Sequence, residues 1–268
     1  MSASVLPAQP FAFDGVVGAW SPTAYDDQIV GGLTGSVSIS APGGPGSGLA
    51  LRAWLAERSV AYCKAVVEPE NLDVKRCLHE AGFYVVNSTA EALFRHTQAE
   101  DFSVPAGLSI ETEPDAARRS AIVALGDRVM RHGRFHEDAN MRALVERRQH
   151  VIMAKQMADP ACLFQAGLDA RGELCGYTIY RLRGREIELI AMGIDTERGV
   201  TGLGYWSASL RTICAAHAPR RIRARFTLTN IGVLNIYVRL QALIHAPKDE
   251  FAWIPRSLPA AEARRRIA

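Results

Sequence analysis

Apolar residues recur at two different periods in the second half of the chain, and each period predicts a different element. Between residues 222 and 228 every second residue is apolar, which is the spacing of a strand that buries one face. The segment 204–216 instead repeats apolar residues at helical spacing and is predicted as a helix. Asn230 directly precedes another helical segment, residues 231–241, and asparagine is a favoured N-cap.

Three short segments precede the first of these helices and are separated only by turn sequences. They are predicted as strands at residues 163–168, 174–181 and 186–195. The turns between them, Asp169-Ala-Arg-Gly172 and Arg183-Gly184, are short enough to join neighbouring antiparallel strands. We therefore expect an antiparallel meander.

The rest of the chain alternates predicted strands and helices around one polar boundary. In the first half the expected elements are strands at 35–39, 61–68 and 83–86 and helices at 49–58 and 71–81, with a Gly/Pro-rich loop at 40–48. After the polar stretch 97–101 come a strand at 108–111 and helices at 114–130 and 141–157. This order predicts a mixed α/β (α+β) fold, with an N-terminal α/β half-domain over residues 1–100 and a second domain over residues 101–268.

Composition narrows the class of protein. A hydrophobic share of 48% and a charged share of 22% are ordinary for a globular protein, and a net charge of +3 is too small to indicate nucleic-acid binding. We find no run of about 20 apolar residues that would span a membrane, and no basic-then-apolar N-terminal signal. The five cysteines form no CxxC pair, so we expect reduced thiols and a cytoplasmic location.

A turn with three glycines, Arg198-Gly-Val-Thr-Gly-Leu-Gly204, follows the third strand of the meander. The first turn of a helix leaves N–H groups unpaired and favours negative charge, so a pyrophosphate is a natural ligand for it. Tight packing between helix and strand would explain the glycines equally well. A Walker loop is excluded because Gly-Lys-Ser/Thr is missing, and a dinucleotide-binding βαβ unit would not follow an antiparallel meander.

The helix after Asn230 carries a second motif. Val233 lies three residues after Asn230 and Tyr237 lies seven after it, about thirty residues beyond the glycine turn. This combination resembles the GNAT superfamily of acyl-CoA N-acyltransferases. The loop signature of the family is Gln/Arg-x-x-Gly-x-Gly/Ala, and its last three positions match Gly202-Leu-Gly204. Its first position does not match, because Gly199 occupies it and Arg198 lies one residue earlier.

The resemblance implies a GNAT fold, with a mixed central sheet flanked by helices and an N-terminal GNAT-like half-domain. It implies an N-acetyltransferase that moves acetyl from acetyl-CoA to a primary amine by direct attack, without a metal. Tyr237 would be the general acid, although a half-buried core tyrosine is the alternative. The base is open between Glu188, His136 and Asp138, each of which is otherwise a surface or supporting group.

The resemblance also implies the binding residues. The residues expected to bind acetyl-CoA are Met192, Gly193, Ile194, Arg198, Gly199, Thr201, Gly202, Leu203, Gly204 and Asn230. The residues expected to border the acceptor are Arg134, His136 and Asp138, in the loop between the first two helices of the second domain. Arg223 and Arg225 form a solvated face or meet a phosphate near this site.

A narrower resemblance concerns the acceptor. Gly133-Arg-Phe-His-Glu-Asp138 is similar to a Ser-Arg-Phe-x-x-Asp stretch of dTDP-fucosamine acetyltransferases, which also have a Gly-Phe strand like Gly82-Phe83 and an aromatic strand like Phe251-Ala-Trp253. It implies a nucleotide-linked amino sugar as acceptor. The alternatives are another small amine, an antibiotic or a protein N-terminus, or a non-catalytic acyl-CoA-binding module. We expect no nucleic-acid or membrane partner, and a homodimer is one assembly that the sequence allows.

Overall fold

The structure is a computed structural model that describes residues 7–255. The strands are β1 (Gln9–Phe13), β2 (Val16–Pro22), β3 (Thr34–Pro42), β4 (Tyr62–Val67), β5 (Tyr84–Phe94), β6 (Ser109–Thr112), β7 (Cys162–Leu168), β8 (Leu174–Arg183), β9 (Glu186–Ile194), β10 (Arg221–Thr227) and β11 (Leu243–Trp253). The α-helices are α1 (Ala24–Val30), α2 (Gly48–Glu57), α3 (Leu72–Glu80), α4 (Ala116–Val129), α5 (Arg134–Glu137), α6 (Val145–Ala158), α7 (Gly202–His217) and α8 (Ile231–Arg239).

The described chain forms two compact units. The first contains residues 7–89, 133–148 and 247–255, and the second contains residues 90–132 and 149–246. The chain passes from one unit to the other between residues 89 and 90, within β5, and between residues 246 and 247, within β11. The sequence predicts two domains with a boundary near residue 100, and that boundary stays a prediction. The contacts between residues instead define two units that are each built from separate segments of the chain.

The first unit is a mixed sheet with helices packed on it. Its strand order is β1-β2-β3-β4-β11, with only the β3–β4 pair parallel. Leu51 and Leu55 of α2 and Leu78 of α3 are fully buried in one apolar cluster with Trp20 and Phe251. Burial of such side chains is the main source of stability, at about 25 cal/mol per Å² of apolar surface.

The second unit contains the predicted meander. Its strand order is β5-β10-β9-β8-β7-β6, in which β6 to β9 are antiparallel neighbours and β9 and β10 are parallel. Tyr177 and Ile179 of β8 pack in one cluster with α4 and α6, whereas Thr178 between them bonds Tyr205 of α7. Since side chains alternate along a strand, the helices cover both faces of this sheet.

Several elements differ from those predicted. No element was expected before residue 34, where the structure forms β1, β2 and α1. The turn between β1 and β2 is Asp14-Gly15, with positive φ at both residues, which is a recognised hairpin signal. The helix expected over 141–157 begins as a 3-10 turn, Arg142–Leu144, and continues as α6. Strand β5 is also much longer than the predicted segment 83–86.

All five cysteines are buried and unpaired, as the sequence predicts for reduced thiols. Within residues 7–255, every helix is too short or too polar to cross a bilayer.

Candidate active site

Strands β9 and β10 pair at one end and line a cleft at the other. The parallel register starts with Arg221 opposite Glu186 and ends with Ala224 opposite Leu189. In β9 a bulge follows, because Ile179 of β8 faces Ala191 and the next residue, Tyr180, faces Leu189. Ile190 is the extra residue of this bulge. A bulge bends its strand and redirects its side chains, and here it lies where the cleft begins.

The cleft has a volume of about 200 Å³ and lies wholly within the second unit. Its walls come from the end of α4 and the residues after it, from β9 and β10 beyond their pairing, from α7 and from α8. The lining residues are Val129, Met130, Arg131, His132, Leu189, Ile190, Ala191, Met192, Trp206, Ala224, Arg225, Phe226, Thr227, Asn230, Val233 and Tyr237. The predicted residues that the structure brings to this cleft are therefore Met192, Asn230 and Tyr237.

Tyr237 is held at the cleft by aromatic packing. Only 4% of the residue is exposed, and its ring meets Phe94 and Phe226 edge to face, with centroids 5.3 and 5.1 Å away. Burial raises the pKa of the Tyr237 hydroxyl to about 12, while the indole N–H of Trp206 acts in the opposite direction. Burial thus favours the neutral phenol, so Tyr237 carries a proton at neutral pH and is not a base.

Trp206 contributes a buried polar group to the same cleft. The residue is 3% exposed, and Nε1 reaches no acceptor with hydrogen-bond geometry among the described residues. A buried donor without an acceptor costs about 1–3 kcal/mol. Such a donor at a cleft wall is available to an oxygen or sulfur of a ligand, or to a neighbouring oxygen that becomes charged.

Asn230 connects the cleft to the start of α8. Its side-chain oxygen accepts a hydrogen bond from the Val233 N–H at 3.1 Å, which confirms the predicted N-cap. This cap fixes the first turn of α8, and Tyr237 follows two turns later on the same short helix. The spacing that suggested the motif therefore has a structural role in placing the phenol.

The glycines at the start of α7 have structural explanations. Thr201 is the N-cap, and its hydroxyl accepts from the Gly204 N–H at 3.1 Å. A Cβ on Gly204 would lie 2.8 Å from Pro105, and one on Gly202 would lie 2.8 Å from the end of the Ile236 side chain. Gly199 has a φ of 73°, which favours glycine. Packing and backbone geometry thus account for these positions, and a phosphate role for Thr201–Gly204, including partly buried Leu203, stays a prediction.

Arg198 lies in a separate charged cleft of about 670 Å³. Its guanidinium forms an ion pair with Glu173 and lies 3.9 Å from both Asp169 and Asp195. Arg128 also contacts Asp195, at 2.5 Å. The charge of Arg198 is therefore balanced by carboxylates of the chain, and a phosphate would have to compete with them.

Gly193 and Ile194, which follow Met192 on β9, are not among the residues that line the cleft. A Cβ on Gly193 would lie 2.5 Å from the Tyr177 ring and 2.8 Å from Val129, so this glycine allows close packing between β9, β8 and α4. Ile194 is half-buried against the apolar cluster that contains Tyr237. Of Met192, Gly193 and Ile194, which the sequence assigns to acetyl-CoA binding, only Met192 lines the cleft.

Glu188 lies outside the lining of the cleft. It occupies the paired part of β9, opposite Arg223 and Arg181, and forms an ion pair with Arg183 at 3.2 Å. Among the described residues that line the cleft, the histidine is His132. The sequence showed no ligand spacing for this histidine, and its only signal was its position directly before Gly133-Arg-Phe-His-Glu-Asp138.

The residues expected to border the acceptor belong to the first unit. Arg134 donates two hydrogen bonds to Asp26, at 2.9 and 3.1 Å. Asp138 is buried and accepts bonds from the Tyr84 hydroxyl at 3.0 Å and the Asn140 N–H at 2.9 Å. His136 is half-buried on the same short helix as Arg134. Arg134 and Asp138 thus have structural partners, and a substrate role for all three stays a prediction.

The part of the chain that the structure describes contains no group of three or more His, Cys, Asp or Glu residues that could hold a metal ion. The polar groups that line the cleft are Tyr237, the Trp206 N–H, His132, Thr227, Asn230, Arg131 and Arg225.

Comparison with known proteins shows the fold. No family model matches the sequence, and no curated protein matches it. Among solved structures, a functionally unknown conserved protein from Staphylococcus epidermidis has a TM-score of 0.61 at 11% identity, covering 93% of this chain and 95% of that one. A GCN5-related N-acetyltransferase from Sphaerobacter thermophilus also has a TM-score of 0.61 at 11% identity, covering 92% and 83%.

A third structure has the same architecture. A tandem GNAT protein from the clavulanic acid biosynthesis pathway has a TM-score of 0.54 at 15% identity, covering 90% of this chain and 79% of that one. At these identities the likeness shows the fold, and it confirms the GNAT fold predicted from the glycine turn and the Tyr237 helix. The comparisons give no support to the narrower resemblance to dTDP-fucosamine acetyltransferases.

Proposed function

We propose that the chain is an N-acyltransferase that moves an acetyl group from acetyl-CoA to a primary amine. The observation that carries this proposal is the buried Tyr237 hydroxyl in the cleft where β9 and β10 part. A direct transfer needs a proton donor for the departing sulfur, and a phenol that is protonated at neutral pH can supply that proton. The GNAT fold supports the reaction class by analogy.

The cleft residues fit an acyl donor. Acetyl-CoA would supply an activated carbonyl and a thiol leaving group. Residues 190–192 of β9, at the bulge, would face its amides. The start of α7 at Thr201–Gly204 is our candidate for the pyrophosphate, because a helix N-terminus favours an anion.

The reaction needs two proton transfers, one from the amine and one to the sulfur, and a different side chain would carry out each. The amine loses a proton as its nitrogen attacks, and His132 is the histidine on the cleft wall that can accept it directly or through water. Tyr237 gives its proton to the sulfur. Glu188 is the alternative base, although it would have to act from outside the cleft lining.

The charges of the cleft favour an anionic acceptor. Among the described residues that line it, Arg131 and Arg225 are cationic and none is Asp or Glu. Arg225 pairs with Glu91 at 3.2 Å on the exposed side, and Arg131 is exposed. An amine that also carries a phosphate or carboxylate would match these groups. A nucleotide-linked amino sugar is one such compound.

Calorimetry with acetyl-CoA, followed by detection of free thiol with an amine panel, tests the function. We expect saturable binding and release of CoA that depends on the amine. The competing function is a non-catalytic acyl-CoA-binding module, and the missing carboxylate base among the cleft-lining residues favours it. Binding without CoA release from any amine would support that module, and no binding would reject both functions.

A further inference from the structure

Two polar groups meet among apolar side chains at one wall of the cleft. Tyr237 and Trp206 are both more than nine-tenths buried, belong to the same apolar cluster and line the same cleft. The indole N–H of Trp206 acts on the Tyr237 hydroxyl, yet its geometry falls short of a hydrogen bond and Nε1 is left as an orphaned donor. The donor is thus near an oxygen that it does not fully engage.

We propose that Trp206 is a positioning residue for Tyr237, and that its indole N–H stabilises the phenolate that forms when Tyr237 gives up its proton. This inference rests on the proposed function. Trp206 would act through Tyr237, without contact to the reacting carbonyl.

The proton balance defines the step. The amine nitrogen forms a bond to the thioester carbon, and the bond from that carbon to sulfur breaks with its electron pair on sulfur. The Tyr237 proton moves to the sulfur, which leaves a thiol and a phenolate. The proton released by the amine, through His132 or water, restores the phenol.

The surroundings of Tyr237 make a phenolate costly without a donor. The rings of Phe94 and Phe226, which pack on Tyr237, offer no N–H or O–H group. A hydrogen bond from the indole N–H to the neutral hydroxyl is weak, whereas a hydrogen bond to the phenolate oxygen is charge-assisted and strong. An interaction that becomes strong only as charge develops lowers the barrier without stabilising the resting state.

A titration of the ligand-free protein tests the pair without an activity assay. The chain is labelled with 3-fluorotyrosine, whose phenol ionises at lower pH, and the ¹⁹F resonance missing from Tyr237→Phe is assigned to Tyr237. In Trp206→Phe we expect the Tyr237 pKa to rise by about 0.5–1 unit, since a donor to the charged form is lost. Trp54→Phe, in the first unit, is the matched control and should cause no shift.

An unchanged Tyr237 pKa in Trp206→Phe overturns the proposal. If the phenylalanine variant does not fold, benzothienylalanine at position 206 decides the question, because it keeps the indole shape and lacks the N–H. A shift with this residue supports the role of the N–H, and no shift refutes it.

Kinetics provide the second readout. We expect Trp206→Phe to lower kcat about 5- to 20-fold, within the range of general-acid effects, and less than twofold when Tyr237 is already phenylalanine. If the loss in kcat of the double variant equals the product of the losses in the two single variants, Trp206 and Tyr237 act independently and the proposal is rejected. If the unaltered chain releases no CoA, the proposed function fails, while the titration still decides whether Trp206 and Tyr237 are coupled.

Discussion

The Arg134 guanidinium donates both of its contacts to the Asp26 carboxylate from one nitrogen, Nη2, in an ion pair that is almost fully buried. Its charge also lies over the rings of Tyr62 and Phe135, at 5.3 and 5.2 Å. This pair links the short helix α5 to α1 within the first unit. Removing one partner would leave the other charge buried and uncompensated.

Asp26→Asn should therefore destabilise the chain by about 3–5 kcal/mol in urea unfolding, the range for breaking a buried ion pair. The control is Asp73→Asn, which alters an exposed pair with Arg76 at 3.2 Å. That exposed pair contributes about 1 kcal/mol or less. Equal effects of the two substitutions would show that the buried pair does not stabilise the first unit.

Tyr237→Phe should lower kcat by roughly 10- to 1000-fold and leave the Kd for acetyl-CoA within about threefold, because only the proton donor is lost. Steady-state kinetics and calorimetry measure the two quantities. Tyr180→Phe is the control, since this buried tyrosine bonds His217 and does not line the cleft. A normal rate in Tyr237→Phe would remove Tyr237 from the reaction.

Arg131→Gln tests the preference for an anionic acceptor. The assay compares two matched amines, phosphoethanolamine, which carries an anionic phosphate, and ethanolamine, which does not. We expect the substitution to lower kcat/KM about tenfold for phosphoethanolamine and less than twofold for ethanolamine, because only the phosphate loses a close charge pair. Arg171→Gln, in the separate charged cleft, should leave this ratio unchanged. The expectation fails if both amines lose the same factor.

Gly193→Ala should destabilise the second unit through packing. The added Cβ would lie 2.5 Å from the buried ring of Tyr177, and overpacking of this kind costs about 1–3 kcal/mol. Gly44→Ala, where the added carbon has nothing within 4 Å, is the control. If Gly193→Ala unfolds normally but binds acetyl-CoA poorly, the glycine serves the ligand and not the packing.

Lys64 gives the first unit a pH dependence. Burial lowers its pKa from an ordinary value of 10.5 to about 8, and the cations of Arg134 and Arg148 add to the effect. Between these values the unfolded chain binds more protons, so the free energy of unfolding should rise with pH from about 8 to 10.5.

Lys64→Met should remove that rise, which urea unfolding at a series of pH values would measure. Because the lysine charge is unfavourable in the fold below pH 8, the variant should also be more stable than the unaltered chain at pH 7. Parallel pH profiles for the two proteins would contradict the assignment.

Local signals were sufficient for much of the second unit. The turns between residues 163 and 195 predicted the meander, and the Asn230 cap predicted the start of α8 with Tyr237 on it. In the first unit the Asp14-Gly15 turn signal was present, yet the strands beside it were not predicted. Each strand is short, and each is held by pairing with its neighbour and by the packing of Phe11 or Trp20 in the core.

The site was less predictable because its groups come from distant segments. No local pattern shows that Arg198 meets Glu173, that Gly204 packs on Pro105, or that the Trp206 N–H lacks an acceptor. The bulge at Ile190 also depends on pairing with β8, so Met192 reaches the cleft while Gly193 lies under Tyr177. These relations arise only in the folded sheet.

The place of β11 in the first unit has a consequence for how the protein is made. Residues Asp249–Trp253 pair with β4, and Phe251 and Trp253 fill the same core as α2 and α3. During synthesis, the ribosome must therefore add roughly the last twentieth of the described chain before the first unit can complete its sheet. Until then, β4 has an unpaired edge and the apolar core beside it is incomplete, and a chaperone or a second nascent chain can reach both.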